Sequence, residues 1–340
     1  MADERADTAG SASDQIGGAG RAASVVLGVD VGGTMIKALA VRNDGHVVLR
    51  ARTPTAAQEG SKAVIARIEA FCADLADGIA GQTGLPPSAL GLAVPGVVDE
   101  TAGVARFAAN IGWQEAPLGE LLSQRLGVPV TVRNDVRAAG LAEARLGAAR
   151  GSRDFLLLQI GTGIAGALVL DGRPYSGAHA LGGEFGHVIV APGGAACRCG
   201  ARGCLETVAS AAAVAGRYME RSGGGGALLV DAAEVIRRSA GGEACAREVW
   251  GDAVRALATV LAWSQNMLDP ELVVLGGGLA QAGAALTDPL RRELGSQLTF
   301  QRLPRLAVSE LGDEAGCLGA AMTAFEPIGF GLRAFVREIP

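Results

Sequence analysis

Apolar positions along this chain come in short blocks of β-branched and aliphatic residues, separated by glycine or polar turns. The runs VVLGVDV, MIKALAV and HVVLRAR (residues 25–31, 35–41 and 46–52) are joined by Gly32-Gly33-Thr34 and by Asn43-Asp44-Gly45. Blocks of this kind suit strands and turns of this kind suit hairpins, so three antiparallel strands are expected. A helical pattern covers residues 61–79, LGLAVPG (90–96) reads as a buried strand, and VPVTVRND (128–135) reads as another that ends in a polar pair. Helix is expected again from Asp135 to Leu146, and alanine-rich helical patterns run from about Glu206 to Glu220 and from Glu243 to Leu268. ELVVLGGG (271–278) reads as a buried strand followed by a further helix, and Gly223 to Gly226 as a flexible loop between helices.

The second half echoes the first. FLLLQIGTGIAGALVLDG (155–172) is strand, glycine turn, strand and closing turn, as is VVLGVDVGGTMIKALAVRNDG (25–45). Two hairpins of a common kind could coincide, but the alternation of strands and helices favours an α/β architecture of two similar domains around a cleft.

Composition narrows the class. A chain of 340 residues, 49% hydrophobic and 19% charged, is long enough for two domains and has the balance of a soluble enzyme. Its net charge of -5 comes without any cluster of Lys and Arg, which argues against nucleic acid as a partner. The opening residues 1–24 are small, polar and acidic, unlike a signal peptide, and are expected to form a disordered tail. No apolar run approaches the length of about 18 residues that a membrane span needs, so neither membrane nor secretion is expected and the cytoplasm is. Cys72, Cys245 and Cys317 stand alone in apolar surroundings and read as buried, inert thiols.

The densest chemistry lies in GGEFGHVIVAPGGAACRCGARGCLE (182–206). His187, Cys197, Cys199 and Cys204 form a thiolate and imidazole set of the kind zinc takes in a tetrahedron, and the surrounding glycines let the backbone bring them together. Three nearby cysteines could instead be buried thiols or a local disulfide; zinc is the better fit.

Three glycine turns follow apolar strands: Asp30-Val31-Gly32-Gly33-Thr34, Gly161-Thr162-Gly163 and Gly276-Gly277-Gly278. Such turns let backbone N–H groups approach a phosphate, and Asp30 adds a carboxylate able to hold hydrated Mg²⁺. There is no GxxxxGK[ST] run, and no GxGxxG opens a helix after the first strand, so neither the P-loop nor the dinucleotide fingerprint is present. Asn134-Asp135 marks a strand-to-helix junction, where Asp serves either as a helix cap or as a base for an attacking hydroxyl.

These residues resemble the ROK family of sugar kinases and related repressors, from about Val25 to Ala324. The resemblance rests on DVGGT (30–34), Asn134-Asp135, GTG (161–163), EFGH (184–187) and CRCGARGCLE (197–206), with weaker support from LGGGL (275–279) and AGCLGAA (315–321), which look like adenosine-side loops. It implies a two-lobed, actin-like ATPase (ribonuclease H-like) fold with a zinc-binding loop. The smaller lobe would comprise residues 25–133 plus about 312–340, and the larger residues 134–311. By matching position, Asp135 is implied as the base for a sugar 6-hydroxyl, and Asn110, Asn134, Glu184, His187 and Glu206 as sugar contacts. Asp30, Gly32, Gly33, Thr34, Gly161, Thr162 and Gly163 are implied to face Mg²⁺ and the phosphates of ATP, and Gly277 and Gly316 the adenosine. Zinc on His187, Cys197, Cys199 and Cys204 is implied to be structural, because four protein ligands leave no open position.

Three positions depart from the family pattern. Arg137 stands where a small or amide residue is usual, and a guanidinium there is expected to depress the pKa of Asp135 or meet a substrate anion. Ala165 replaces a glycine, and Met35 stands where several relatives carry Lys and is expected to point into the lobe. The function implied is ATP-dependent phosphorylation of a hexose, glucose first, in a homodimer or higher homo-oligomer. N-acetylmannosamine or N-acetylglucosamine is the alternative acceptor. A non-catalytic sugar sensor or a regulator without its DNA-binding domain is the reading from another class; only 24 residues precede the first expected strand, so a DNA-binding unit is not expected there.

Overall fold

The structure is a computed structural model that describes residues 24–223 and 230–330. The expected tail, apart from Ser24, lies outside the described residues, as do Gly224 to Gly226 of the expected loop and residues 331–340 of the expected smaller lobe.

The first half comprises β1 (Val25–Val31), β2 (Met35–Arg42), β3 (Val47–Pro54), α1 (Ser61–Thr83), β4 (Ala89–Val94), β5 (Val97–Asp99), β6 (Val104–Ala108), β7 (Trp113–Ala116), α2 (Leu118–Leu126), β8 (Val130–Asn134) and α3 (Asp135–Arg145). Then follow β9 (Phe155–Ile160), β10 (Ile164–Leu170), β11 (Arg173–Tyr175), α4 (Glu206–Ala209), α5 (Ala211–Arg221), α6 (Ala232–Ala240), α7 (Ala244–Leu268), β12 (Leu272–Gly276), α8 (Ala284–Gln297), β13 (Arg305–Val308) and α9 (Ala315–Ala324).

Two five-stranded sheets share one plan, ordered β3-β2-β1-β4-β8 and β11-β10-β9-β12-β13. In each, three antiparallel strands are followed across the sheet by two parallel ones. The expected duplication is present. A third sheet, β5-β6-β7, was not expected from the pattern, because its strands are short and β6 and β7 each hold two exposed residues in a row instead of alternating.

Period-two alternation decides which strand positions face which helix. Val25, Leu27, Val29 and Val31 of β1 pack with Val64, Ile68, Cys72, Leu75 and Ile79, the apolar stripe of α1. Val26 turns the other way, toward Leu318, Ala321 and Met322 of α9. On that face Gly28 and the registered Gly91 let the helix backbone lie against the sheet: a Cβ would fall 2.3 Å from the Cys317 carbonyl oxygen and 1.9 Å from that of Ala320. Asp30, two residues on from Gly28, shares the face and meets the first turn of α9. The second sheet repeats the device: Leu156, Leu158 and Ile160 pack with α7, whereas Phe155 and Leu157 pack with Val136 and Ala139 of α3. Gln159 shares that second face. Helices α3 and α9 pack on each other between the sheets, closely enough that a Cβ on Gly319 would sit 1.9 Å from the Ala138 carbonyl oxygen.

Two expectations are corrected. The pattern over 206–220 is not one helix: Ser210 is extended and its side chain accepts from the Ala213 N–H, capping α5 and ending α4 after Ala209. AGCLGAA is not a loop but the start of α9, whose residues are all buried between the sheet and α3. Burial on every side removes the polar stripe by which a helix is read from sequence.

Candidate active site

The carboxyl ends of the parallel strands in both sheets converge on one cavity of about 470 Å³. Asp30, Lys37 and Asp135 enter it from the first sheet and its following helix, and Gln159, Gly276, Gly277 and Ser309 from the second. Gly312, Asp313 and Gly316, leading into α9, complete the wall. Of the residues singled out in the sequence, this cavity gathers Asp30, Gly32, Asp135, Gly276, Gly277, Gly278 and Gly316. Gly33, Thr34, Gly161, Thr162, Gly163 and the sugar-contact set do not line it. Lys37, Gln159, Ser309 and Asp313 went unread. Lys37 stands opposite Asp30 in the β1–β2 register, and Gln159 holds in β9 the place of Asp30 in β1, so the hairpin and the repeat each carried a signal.

Electrostatics divide the cavity. Burial pushes the Asp30 carboxyl up to about 7, with Asp135 adding repulsion and Lys37 pulling it back. Burial likewise pushes Asp135 up to about 6, against the hydrogen bond it accepts from the Val136 N–H at 2.8 Å and the nearby charge of Arg137. Arg137 does pull Asp135 down as expected, but burial outweighs it; the guanidinium is turned aside, its Nε donating to Glu100 Oε1 at 2.8 Å. Burial also acts to raise Glu100, yet Arg137 and Arg133 together hold it below the usual carboxylate range. The capping role at this junction falls to Asn134, whose Oδ1 accepts from the Arg137 N–H at 3.0 Å while its Nδ2 donates to the Gly96 carbonyl at 3.1 Å. Cys317 is buried among Val26, Leu318, Ala321 and Met322 as expected, and its thiol also feels Asp30 and Lys37. Cys72 is fully buried, and Cys245 is only partly so.

The glycine turns differ in what requires them. Gly277 has φ of 79° and its Cβ would lie 2.5 Å from the Ile160 carbonyl oxygen, so backbone and space both demand glycine. A Cβ on Gly316 would meet Asp30 Oδ2 at 2.5 Å, and one on Gly163 would meet Glu206 Oε2 at 2.5 Å. Glu206 Oε2 in turn accepts from the Ile164 N–H at 3.0 Å, tying the second turn to the residues after the cysteine loop. Gly33 and Thr34 are exposed, with the Asn110 amide above Gly33. Ala165 stands across from Gln159, and half-buried Met35 shares the face of β2 with Lys37.

The cysteine loop forms the cluster its spacing suggested. Ligand atoms of His187, Cys197, Cys199 and Cys204 all lie within 4.8 Å of one another. His187 Nδ1 is 3.6 Å from Cys197 Sγ, and Cys199 Sγ is 3.7 Å from Cys204 Sγ. A tetrahedron with zinc–sulfur bonds of about 2.3 Å has edges of roughly 3.8 Å, so the donor set fits a zinc ion. Cys197, Cys199 and Cys204 are free thiols, and the 3.7 Å between Cys199 and Cys204 is far from the about 2.0 Å of a disulfide. Two bridges, Ile189 with Cys204 and Ala196 with Arg202, hold the loop, and Gly203 lets it fold onto the Ala191 carbonyl. On its other edge the His187 ring places Nε2 3.8 Å from Glu184 Oε2.

A model of the ROK family matches residues 26–326. The chain belongs to the ROK family. Glucokinase from Thermotoga maritima is 34% identical over 319 residues, covering 89% of this chain and 98% of that protein. The crystal structure of ROK hexokinase from Thermus thermophilus is 36% identical, with a TM-score of 0.77 over 90% of this chain and 100% of that one. That of a ROK family glucokinase from Streptomyces griseus in complex with glucose and AMPPNP is 29% identical, with a TM-score of 0.75 over 89% and 100%. The fold is accordingly the two-lobed actin-like ATPase fold, each lobe built on one of the repeated sheets. No helix among the described residues is long and apolar enough to cross a membrane.

Proposed function

We propose that this protein is an ATP-dependent sugar kinase acting on the 6-hydroxyl of a hexose, with glucose as acceptor. The observation that carries this reading is the pair of raised carboxylates, Asp30 and Asp135, facing one glycine-walled cavity where both sheets end. Asp135 accepts the 6-hydroxyl proton, the sugar oxygen forms its bond to the γ-phosphorus, the bond from that phosphorus to the bridging oxygen breaks, and ADP leaves with the electron pair. A base that titrates near 6 is ionised at neutral pH yet keeps enough affinity to take the proton. Asp30 would hold Mg²⁺, which supplies charge neutralisation for the phosphates. Lys37 keeps a cation beside that carboxylate. Gly32, Gly277 and Gly316 let the nucleotide approach the backbone, and Gly33, Thr34, Gly161, Thr162 and Gly163 are proposed, on the family resemblance, to serve the phosphates.

Asn110, Asn134, Glu184, His187 and Glu206 are proposed to hold the remaining hydroxyls. His187, Cys197, Cys199 and Cys204 would hold zinc in a structural role, fixing the imidazole so that Nε2 serves the sugar. The lobe division at residues 134 and about 312 is supported by the packing of α9 on β1 and β4. A thiolate cluster of this kind favours the reducing cytoplasm, and a homo-oligomer is proposed on the family resemblance. The ground for a non-catalytic sensor was a base weakened by Arg137; the net shift of Asp135 is upward, which favours the kinase. Sugar-dependent ADP release should be measured with glucose, mannose, N-acetylglucosamine and N-acetylmannosamine, using ATP and polyphosphate as donors. The highest kcat/KM is expected for glucose with ATP; no release with any of the four would overturn the kinase.

A further inference from the structure

We propose that Arg137 is a positioning residue that sets the sugar-side loop, residues 176–184, against the Asn134–Asp135 junction. The proposal rests on the sugar-kinase reading for its functional consequence, but its structural content stands alone. Arg137 leaves the first turn of α3, two residues after the proposed base, and is 4% exposed. Its guanidinium is shared between two segments that belong to different halves of the chain. Nε donates to Glu100 Oε1 at 2.8 Å, in the turn after β5, and Nη1 donates to the Ala180 carbonyl at 3.4 Å, four residues before Glu184.

Each end of this strap bears on the site. Glu100 Oε1 also accepts from the Asn134 N–H at 3.3 Å, and its Oε2 accepts from Arg133 Nη1 at 2.8 Å, so the carboxylate locks the end of β8. The Arg137 N–H itself caps on Asn134 Oδ1. At the other end Ala180 has φ of 59°, a left-handed conformation that a residue with a Cβ keeps only where its surroundings impose it. Loop 176–184 carries Glu184, whose charge is felt by Asp135. Arg137 Nη2 is buried and has no acceptor among the described residues, so the fork retains a donor for a carbonyl or hydroxyl that moves in when the loop changes position. A planar fork with several donors in fixed directions can bridge a carboxylate and a carbonyl at once; a lysine in the same place reaches one or the other.

The test compares wild type with Arg137→Met, Arg137→Lys and Glu100→Gln by steady-state kinetics and by amide hydrogen exchange of the free protein. Arg137→Met should raise the sugar KM about tenfold or more, leaving the ATP KM within about twofold, because only the sugar-side geometry is released. Exchange across 176–184 should accelerate while peptides from 155–170 keep their wild-type rates. Arg137→Lys should recover part of both effects, and Glu100→Gln should move the sugar KM in the same direction by a smaller factor. A drop in kcat and Tm with an unchanged sugar KM would mark a purely structural arginine and overturn the proposal. So would wild-type exchange over 176–184 in Arg137→Met. Should the wild-type protein phosphorylate no sugar, the kinase reading fails, and the exchange comparison still decides whether Arg137 holds the loop.

Discussion

The two repeated sheets deliver different chemistry from matching places. At the end of β1 stands Asp30 and after β8 stands Asp135, whereas the corresponding places at the ends of β9 and β13 hold Gln159 and Ser309. Lys37 lies across from Asp30, and Ala165 lies across from Gln159. One half thus supplies buried charge and the other an uncharged wall of amide, hydroxyl and glycine backbone. Duplication gave a cleft with pseudo-symmetric walls, and replacement at single strand positions made one wall reactive and the other a seat. Burial raises both acids, and Asp135 and Asp313 add repulsion at Asp30 while Lys37 offsets part of it.

The largest effect is expected from Asp135→Asn, which should lower kcat by about 10²–10⁴ with the sugar KM largely kept, while Ser309→Ala on the opposite wall should change kcat by less than about tenfold. Next comes Asp30→Asn, expected to lower kcat by about 10²-fold through loss of the phosphate-side carboxylate, with an opposite effect on stability. Because its folded pKa of about 7 lies above the ordinary 3.8, Asp30 stabilises the metal-free fold fully below about pH 4, and this contribution is lost as pH rises through about 7. Calorimetry of the metal-free protein at about pH 8 should therefore show Tm raised by about 1–2 °C in Asp30→Asn, the equivalent of roughly 1 kcal/mol in a chain of this size. An unchanged Tm would mean the carboxylates do not strain the cavity.

Away from both walls, Cys199→Ser should abolish stoichiometric zinc and raise the sugar KM about tenfold, because His187 loses the support that aims it, with the ATP KM unmoved. Metal analysis and kinetics on the same preparation check this. The smallest effect is expected from Gln159→Ala, a change within about fivefold in the ATP KM and none in the sugar KM.

Much of this contrast was legible before any coordinates. The strand blocks, both hairpins and the zinc set follow from local rules, since period-two alternation, turn glycines and ligand spacing act over a few residues. Asp30 and Asp135 were marked by what they adjoin, a glycine turn and a strand-to-helix junction. Features that depend on distant segments were not legible. Helix α9 lost its amphipathic signature to burial on all sides, Asp313 reaches the cavity from an exposed turn, and Gly163 answers to a carboxylate 43 residues away. The anchoring of Arg137 was hidden for the same reason: two positions from Asp135 in sequence, it is held by Glu100, 37 residues upstream.

The most direct test is the pH dependence of sugar kcat/KM at saturating Mg·ATP, for wild type and Asp135→Asn side by side. The base works only when ionised, so the wild-type rate should fall as pH drops through about 6, while the variant should be about 10²–10⁴ lower and lack that limb. A variant as fast as wild type, or the same acid limb in both, would contradict the assignment of the charged wall as the seat of the chemistry.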